Sequence, residues 1–216
     1  MTKMETTNDT KKNLPVGWRW VRLGEVAIRI KNGTSEIQNK DGIGLPVTRI
    51  ETISAGQIDP DRVGWIDGRE EDYVQYRLNH GDILFSHINS VERLGNCAIY
   101  CGKPPFLIHG MNLLRFEFNL ESAEPIFMLH VLRSADAIRF YQDRARRAIG
   151  QASLNTKDIA ALEIPLPPLD EQRRIVAVLR EQMAAVEKAR AAAEEELNTI
   201  NALPAALLRR AFNGEI

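Results

Sequence analysis

Residues 170–203 read DEQRRIVAVLREQMAAVEKARAAAEEELNTINAL, a run that contains no glycine or proline and is rich in alanine and glutamate. Apolar residues recur along it at alternating spacings of three and four, which is the heptad pattern of a coiled coil. The pattern predicts one long helix over 171–203, about 50 Å in length at a rise of roughly 1.5 Å per residue. Pro204 lacks the amide that would bond to the carbonyl of Ile200, so we expect a kink there.

The heptad core of this helix is a candidate dimerisation surface. Eight of its ten positions are apolar, and the two exceptions are Gln182 and Glu196. A lone helix cannot remove such a stripe from water, so we expect a partner helix, with the two polar positions setting the register. The predicted dimerisation residues are Ile175, Leu179, Gln182, Val186, Ala189, Ala193, Ile200, Leu203 and Leu207.

Upstream of the helix, the sequence contains short β-type runs separated by glycine and proline, without the strand–helix alternation of a doubly wound fold. The fold class is therefore predicted as α+β, with a mixed-sheet globular domain at 14–168 and a helical coiled-coil region at 169–216. Residues 1–13 are predicted to be a disordered leader. The predicted strands are Trp18–Leu23, Leu45–Ile50, Val63–Ile66, Asp82–Phe85, Asn96–Tyr100 and Asn112–Phe118, the last of them half-buried.

Three shorter helices are predicted before the long one. Proline at position 125 suits the first turn of a helix, which we expect to break near Ser134. A second helix is predicted over Asp136–Ala148 and ended by Gly150, and a third begins near Asn155 or Thr156.

Composition limits the functional classes. The 216 residues include 28 basic and 29 acidic side chains, a net charge of −1, so a charge-driven, histone-like nucleic-acid binder is excluded and any such surface must be local. The polar start is not a signal peptide, and no apolar stretch is long enough to span a membrane. Cys97 and Cys101 lie in an apolar run and are predicted to be buried thiols in a cytoplasmic protein.

Catalytic patterns are weak. The acid-x-lysine triplet of metal-dependent nucleases occurs only as Asp9-Thr10-Lys11, in the leader, and no phosphate-binding loop is present. Lys103-Pro104-Pro105-Phe106 resembles a methyltransferase loop but places lysine where an amide or carboxylate is needed. On a strand, the two cysteines would lie about 13 Å apart, too far to share one zinc ion. We predict a protein that is not an enzyme and has neither metal nor cofactor.

Four segments resemble one family. LPVGWRWVRLGEV at 14–26, GQASLN at 150–155, IPLPPLDEQ at 164–172 and AFNGEI at 211–216 are similar to segments of the specificity (S) subunit of type I restriction–modification systems. Members of that family usually carry two target-recognition domains and two helical regions in about twice this length. The resemblance therefore implies a half-subunit, complete at both ends, that pairs with itself or with another half.

The resemblance also implies a function. Each target-recognition domain would read one half of a split site in double-stranded DNA, and paired helices would hold two domains at a fixed separation. Two identical halves would then read an inverted repeat with a non-specific gap. The implied partners are the methyltransferase (modification) subunit and the ATP-dependent restriction subunit. The alternative is a regulatory half-subunit that binds methyltransferase subunits through its helix and does not read DNA.

Three polar segments have side chains suited to DNA. Arginine and lysine contact phosphates or guanine, and asparagine and glutamine contact adenine. Ordinary solvated turns are the alternative for the first two segments, and a solvated helix end for the arginines of the third. The candidate DNA-binding residues are Lys31, Asn32, Thr34 and Ser35 in the first segment; Ser86, His87, Asn89 and Arg93 in the second; and Arg144, Arg146, Arg147, Gln151 and Ser153 in the third.

Overall fold

A computed structural model describes residues 14–39 and 41–214, so the predicted leader lies outside the described residues. The chain forms two compact units that divide between Arg173 and Arg174. The strands are β1 Arg19–Arg22, β2 Ala27–Asn32, β3 Leu45–Val47, β4 Gly64–Ile66, β5 Ile83–Phe85, β6 Ile88–Asn89, β7 Cys97–Ile99, β8 Leu114–Phe118, β9 Arg146–Ala148, β10 Gln151–Ser153 and β11 Glu163–Leu166. The α-helices are α1 Leu23–Val26, α2 Pro125–Leu132, α3 Ala135–Arg144, α4 Thr156–Ala160 and α5 Leu169–Phe212. Three 3-10 turns cover Glu51–Ile53, Glu70–Tyr76 and Val91–Arg93.

The first unit is built on an antiparallel sheet with the order β2-β8-β5-β7. Phe85 on β5 packs edge-on against Phe116 on β8 and against Tyr141 of α3, with ring centroids 5.6 and 5.1 Å apart. On the other face, Leu84 and Ala98 join a separate buried apolar cluster. Both faces of β8 are therefore covered, and the strand is more deeply buried than the half-buried strand predicted from its partial alternation.

A second, two-stranded sheet pairs β1 with β11 and joins the beginning of the first unit to its end. Beside it, the side chain of Gln172 is fully buried. Its amide accepts a hydrogen bond from the backbone of Glu124 and donates to the carbonyls of Ser122 and Pro167, each at 2.9 Å. Because a buried amide must find such partners, these three bonds fix the first turn of α5 within the unit.

The helix boundaries are largely those that the sequence predicts. Ser134 caps α3, accepting from the amide of Ala137 at 3.2 Å, and it lies at the predicted break. Asn155 caps α4 by accepting from the amide of Asp158 at 2.7 Å. Short polar side chains satisfy amides that have no partner inside the helix, which is why these residues mark helix starts.

The helix predicted over Asp136–Ala148 is wrong in its last turn. Helix α3 ends at Arg144, and the next residues form β9, which folds back onto β10. Gly150 has a φ of 72° and lies in the turn between the two strands rather than at a helix end. Glycine in this conformation serves both purposes, so its presence alone does not distinguish a hairpin from a helix terminus.

Three further predictions are corrected. The strand predicted over Leu45–Ile50 ends at Val47. Ile88 and Asn89, where no strand is predicted, form β6, because they pair with β10. Cys97 is buried, as expected, but Cys101 is exposed, because it follows β7 after the strand has ended.

The second unit contains the rest of α5, which continues through Pro204 to Phe212 and so extends past the predicted end at residue 203. From Val186 onward its apolar heptad side chains are exposed: Val186 is 63 % exposed, Ile200 53 %, Leu203 50 % and Leu207 51 %. In the described part of the chain, none of the helices has a stretch apolar and long enough to cross a membrane.

Candidate nucleic-acid interface

The first two polar segments leave the central sheet at the same edge. β2 and β5 both run antiparallel to β8, so they are parallel to each other and end together. The pairing register places Asn32, the last residue of β2, opposite Leu114, and Leu114 opposite Phe85, the last residue of β5. The two segments, which are more than fifty residues apart in the sequence, therefore begin at the same end of the sheet, on either side of β8.

The third segment joins the same edge through strand pairing. β6 pairs with β10, so that Asn89 lies opposite Ala152, and β10 pairs in turn with β9. The amide of Leu154 also donates to the carbonyl of His87 at 2.9 Å. All three segments thus form one continuous surface, called here the polar edge, made of residues 31–35, 86–93 and 144–153.

Eight of the thirteen predicted DNA-binding residues are exposed on the polar edge, and Asn89 and Ser153 are half-buried. The other three are buried, with Thr34 6 % exposed, Ser86 0 % and His87 8 %. The hydroxyl of Ser86 accepts a hydrogen bond from the side-chain amide of Asn89 at 3.0 Å and is therefore already used within the domain. Direct DNA contact by these three does not fit their burial. The exposed eight are Lys31, Asn32, Ser35, Arg93, Arg144, Arg146, Arg147 and Gln151.

Five of the exposed residues are cations. In the described part of the chain, none of the five forms an ion pair with a carboxylate, whereas Arg62 and Arg69 elsewhere on the surface pair with Asp59 and Asp72 at 3.3 and 3.4 Å. Arg144 lies instead over the ring of Phe140, 4.5 Å from its centroid. The chain is nearly neutral overall, but the polar edge carries local positive charge. Such a surface attracts phosphates. The five cations are Lys31, Arg93, Arg144, Arg146 and Arg147.

The β9–β10 hairpin presents its residues on two faces. Opposite residues of an antiparallel pair lie on the same face, so Arg146 and Ser153 share one face while Arg147 shares the other with the buried Ala152. Ile149, in the turn, is 106 % exposed. Because β10 also pairs with β6 through Ala152 and Ser153, only the tip of the hairpin, residues 148–151, is two-stranded. A two-stranded ribbon is narrow enough to enter the major groove of B-DNA.

The first segment is held against a neighbouring backbone. A side chain at Gly33 would place its Cβ 1.9 Å from the carbonyl oxygen of His109, so only glycine fits here. The amide of Thr34 donates to the same oxygen at 2.9 Å, and the amide of Met111 donates to the Thr34 carbonyl at 2.9 Å. His109 is itself buried, and burial lowers its pKa to about 4.

Asn32 connects the first two segments. Its Nδ2 donates to the carbonyl of Met111 at 2.7 Å and lies 3.3 Å from Nε2 of His87. Burial also lowers the pKa of the His87 imidazole, which favours its neutral form. Neither Met111 nor this pairing was predicted, since nothing local in the sequence relates residues 32, 87 and 111.

The residues predicted for dimerisation all lie on α5. Ile175 and Leu179 are half-buried, whereas the positions from Gln182 to Leu207 are exposed. Within the described residues, no group of three or more histidine, cysteine, aspartate or glutamate side chains could hold a metal ion.

Residues 15–196 match the type I restriction modification DNA specificity domain. The chain belongs to this family. It is 47% identical over 167 residues to a putative type I restriction enzyme MjaX specificity subunit of Methanocaldococcus jannaschii, a match that covers 77% of this chain and 39% of that subunit. It is 26% identical to the EcoKI specificity subunit of Escherichia coli, over 88% of this chain and 41% of the relative.

Solved structures show the same fold. A chain from a study of complex assembly and conformational transition of the type I R-M system matches with a TM-score of 0.69 at 29% identity, over 96% of this chain and 49% of that one. The HsdS subunit from Thermoanaerobacter tengcongensis matches with a TM-score of 0.58 at 29% identity, over 84% and 42%. The chain thus spans about half the length, or less, of the relatives and solved chains that it matches. The family predicted from the four motifs is confirmed.

Proposed function

We propose that this chain is a sequence-specific DNA-recognition subunit of a type I restriction–modification complex and that the polar edge is its DNA-contacting surface. The convergence of three separate segments on one edge, with five cations that form no ion pair with a carboxylate among the described residues, is the observation that supports this proposal. Membership of the DNA specificity family agrees with it.

Cations and amides would have different tasks on this surface. Lysine and arginine side chains on the polar edge would contact phosphates. Such contacts fix the position of a protein on the duplex without reading its sequence. Arginine can also donate two hydrogen bonds to guanine, and the amide of Gln151 is of the kind that reads adenine. The tip of the β9–β10 hairpin would enter the major groove and bring Gln151 to the base edges, while Arg146 and Arg147 would contact phosphates.

The proposal includes pairing of two copies through α5. The apolar stripe from Val186 to Leu207 is exposed within the chain, and the chain matches relatives of about twice its length. Two copies joined through this stripe would supply two recognition domains. A two-fold axis would then make the DNA site an inverted repeat with a gap whose length depends on the helices.

The expected partners are a methyltransferase subunit and an ATP-dependent restriction subunit, which would supply the chemistry. The relatives bear the names of specificity subunits of type I restriction enzymes, which supports this assignment. In this proposal the chain itself binds and positions, and it catalyses no step.

The decisive experiment selects duplexes from a randomised pool with the purified full chain, alone and after co-purification with candidate methyltransferase subunits. We expect enrichment of a two-part, two-fold symmetric sequence and a dimer by light scattering. Enrichment of no sequence, together with tight binding to methyltransferase subunits, would favour the regulatory alternative. A monomer that selects a single, undivided site would contradict the pairing.

A further inference from the structure

The amide of Asn32 is held in one orientation by two acceptors. A carbonyl oxygen can only accept, so the atom 2.7 Å from the Met111 oxygen must be the amide nitrogen, Nδ2. The same nitrogen lies 3.3 Å from His87 Nε2. Its two hydrogens are therefore directed at two protein acceptors, and Oδ1, which bonds to none of the described residues, is the polar atom left to face outward. Asn32 is exposed.

The contact with Asn32 determines the tautomer of His87. To accept from Asn32, Nε2 must carry no proton, so the neutral ring carries its proton on Nδ1. The ring is buried, and Nδ1 has no hydrogen-bond partner within the described residues. The backbone of His87 is fixed as well, because its carbonyl accepts from Leu154. The backbone that carries this acceptor is thus held in place before any DNA arrives.

We propose that Asn32 reads a base as a hydrogen-bond acceptor only, and that it recognises an exocyclic amino group in the major groove, adenine N6 or cytosine N4. His87 and Met111 are positioning residues in this scheme. An asparagine that reads adenine in the usual bidentate way donates to N7 and accepts from N6. Here the donor half is already used inside the protein, so N7 would not be read. This inference rests on the proposed function, because it presumes that the polar edge contacts DNA.

The test uses the DNA site selected in the experiment above and single-atom base analogues. At each adenine we would compare 7-deazaadenine, which lacks N7, with purine, which lacks the amino group; at each cytosine, pyrimidin-2-one lacks the amino group. At one position of each half-site, removal of the amino group should lower the affinity of the wild-type chain about fivefold. Removal of N7 at the same position should leave the affinity unchanged. Asn32→Ala should bind the normal base and the amine-free analogue equally at that position.

A matched control and two histidine variants complete the test. Asn112→Ala removes an exposed amide next to Met111 and should leave the Asn32-dependent position unchanged. His87→Gln keeps an acceptor near the place of Nε2 and should retain the preference. His87→Phe frees one hydrogen of the Asn32 amide, so binding should become sensitive to 7-deazaadenine. Thermal unfolding of each variant identifies changes that merely damage the fold.

The outcomes separate the two proposals. If the chain selects no sequence, the proposed function itself is wrong. If it selects a sequence but Asn32→Ala changes the preference at no position, or if the Asn32-dependent position loses affinity with 7-deazaadenine in the wild type, the acceptor-only inference is overturned. Asn32→Ala alone decides this point if the His87 variants do not fold.

Discussion

Replacing Arg146 and Arg147 together by alanine tests whether the β9–β10 hairpin contacts the DNA backbone. Both side chains are exposed, and neither has a carboxylate partner within the described residues. Both belong to a short edge strand whose three residues are all exposed, so their truncation should leave the fold intact. The register places them on opposite faces of the hairpin, from which both could reach phosphates.

The expected size of the effect follows from counterion release. Each phosphate contact contributes about 0.9 to the slope of log affinity against log salt concentration, so two lost contacts should flatten the slope by about 1.8. Between 50 and 200 mM salt, the wild-type affinity should then fall about 12-fold more than that of the double variant.

The assay is fluorescence anisotropy of a labelled duplex titrated with the full chain at several salt concentrations. A matched control is the double replacement of Arg62 and Arg69, which lie outside the polar edge and already pair with Asp59 and Asp72. The control should leave the slope unchanged. Equal slopes for the wild type and the Arg146/Arg147 variant would show that the hairpin arginines do not contact phosphates. An equal change of slope in both double variants would show a general charge effect.

Four further substitutions probe stability, titration and pairing. Gly33→Ala should lower the free energy of unfolding by about 2–4 kcal/mol in a denaturant titration, because its Cβ meets the His109 carbonyl; an unchanged midpoint would refute that contact. Gln172→Ala leaves one buried amide and two carbonyls unpaired and should cost about 3 kcal/mol in the same measurement, whereas a loss below 1 kcal/mol would show that water replaces them. Burial lowers the folded pKa of His109 to about 4, below its ordinary 6.5, so its neutral form stabilises the fold above pH 6.5. Relative to His109→Gln, which cannot titrate, the wild type should therefore lose about 3 kcal/mol as the pH falls from 6.5 to 4, and parallel pH profiles would contradict this. Ile200→Glu should dissociate the proposed dimer in light scattering, while Ala191→Glu, on the outer face of the heptad, should not, and a dimer that survives both would exclude the α5 stripe.

Much of the fold could be predicted because its signals are local. Ser134 and Asn155 mark helix starts through hydrogen bonds to amides only three residues away. The long helix is predicted as well, apart from its C-terminal end, since its apolar spacing repeats over many turns. Such features depend on neighbouring residues alone, and the sequence displays them directly.

The site could be predicted only in pieces. The three segments were identified from their residue types, but their meeting at one edge depends on the pairing of β2, β5 and β8, which no local pattern reveals. The hairpin was missed because Gly150 can end a helix or form a turn. The two-residue strand β6 is too short to show periodicity. Ser86 and His87 directly precede β6, so their burial could not be predicted without knowing how that strand pairs.

The row Asn32–Leu114–Phe85 has a consequence for how new specificities could arise. Beneath the polar edge, the buried Leu114 and Phe85 form a foundation that is independent of the residues that follow each strand. Exchanging an exposed side chain that bonds to neither of the other segments, such as Arg146, would change the bases or phosphates contacted without disturbing these strands. Such a surface could acquire a new target sequence through single substitutions, each changing the contacts to a few bases.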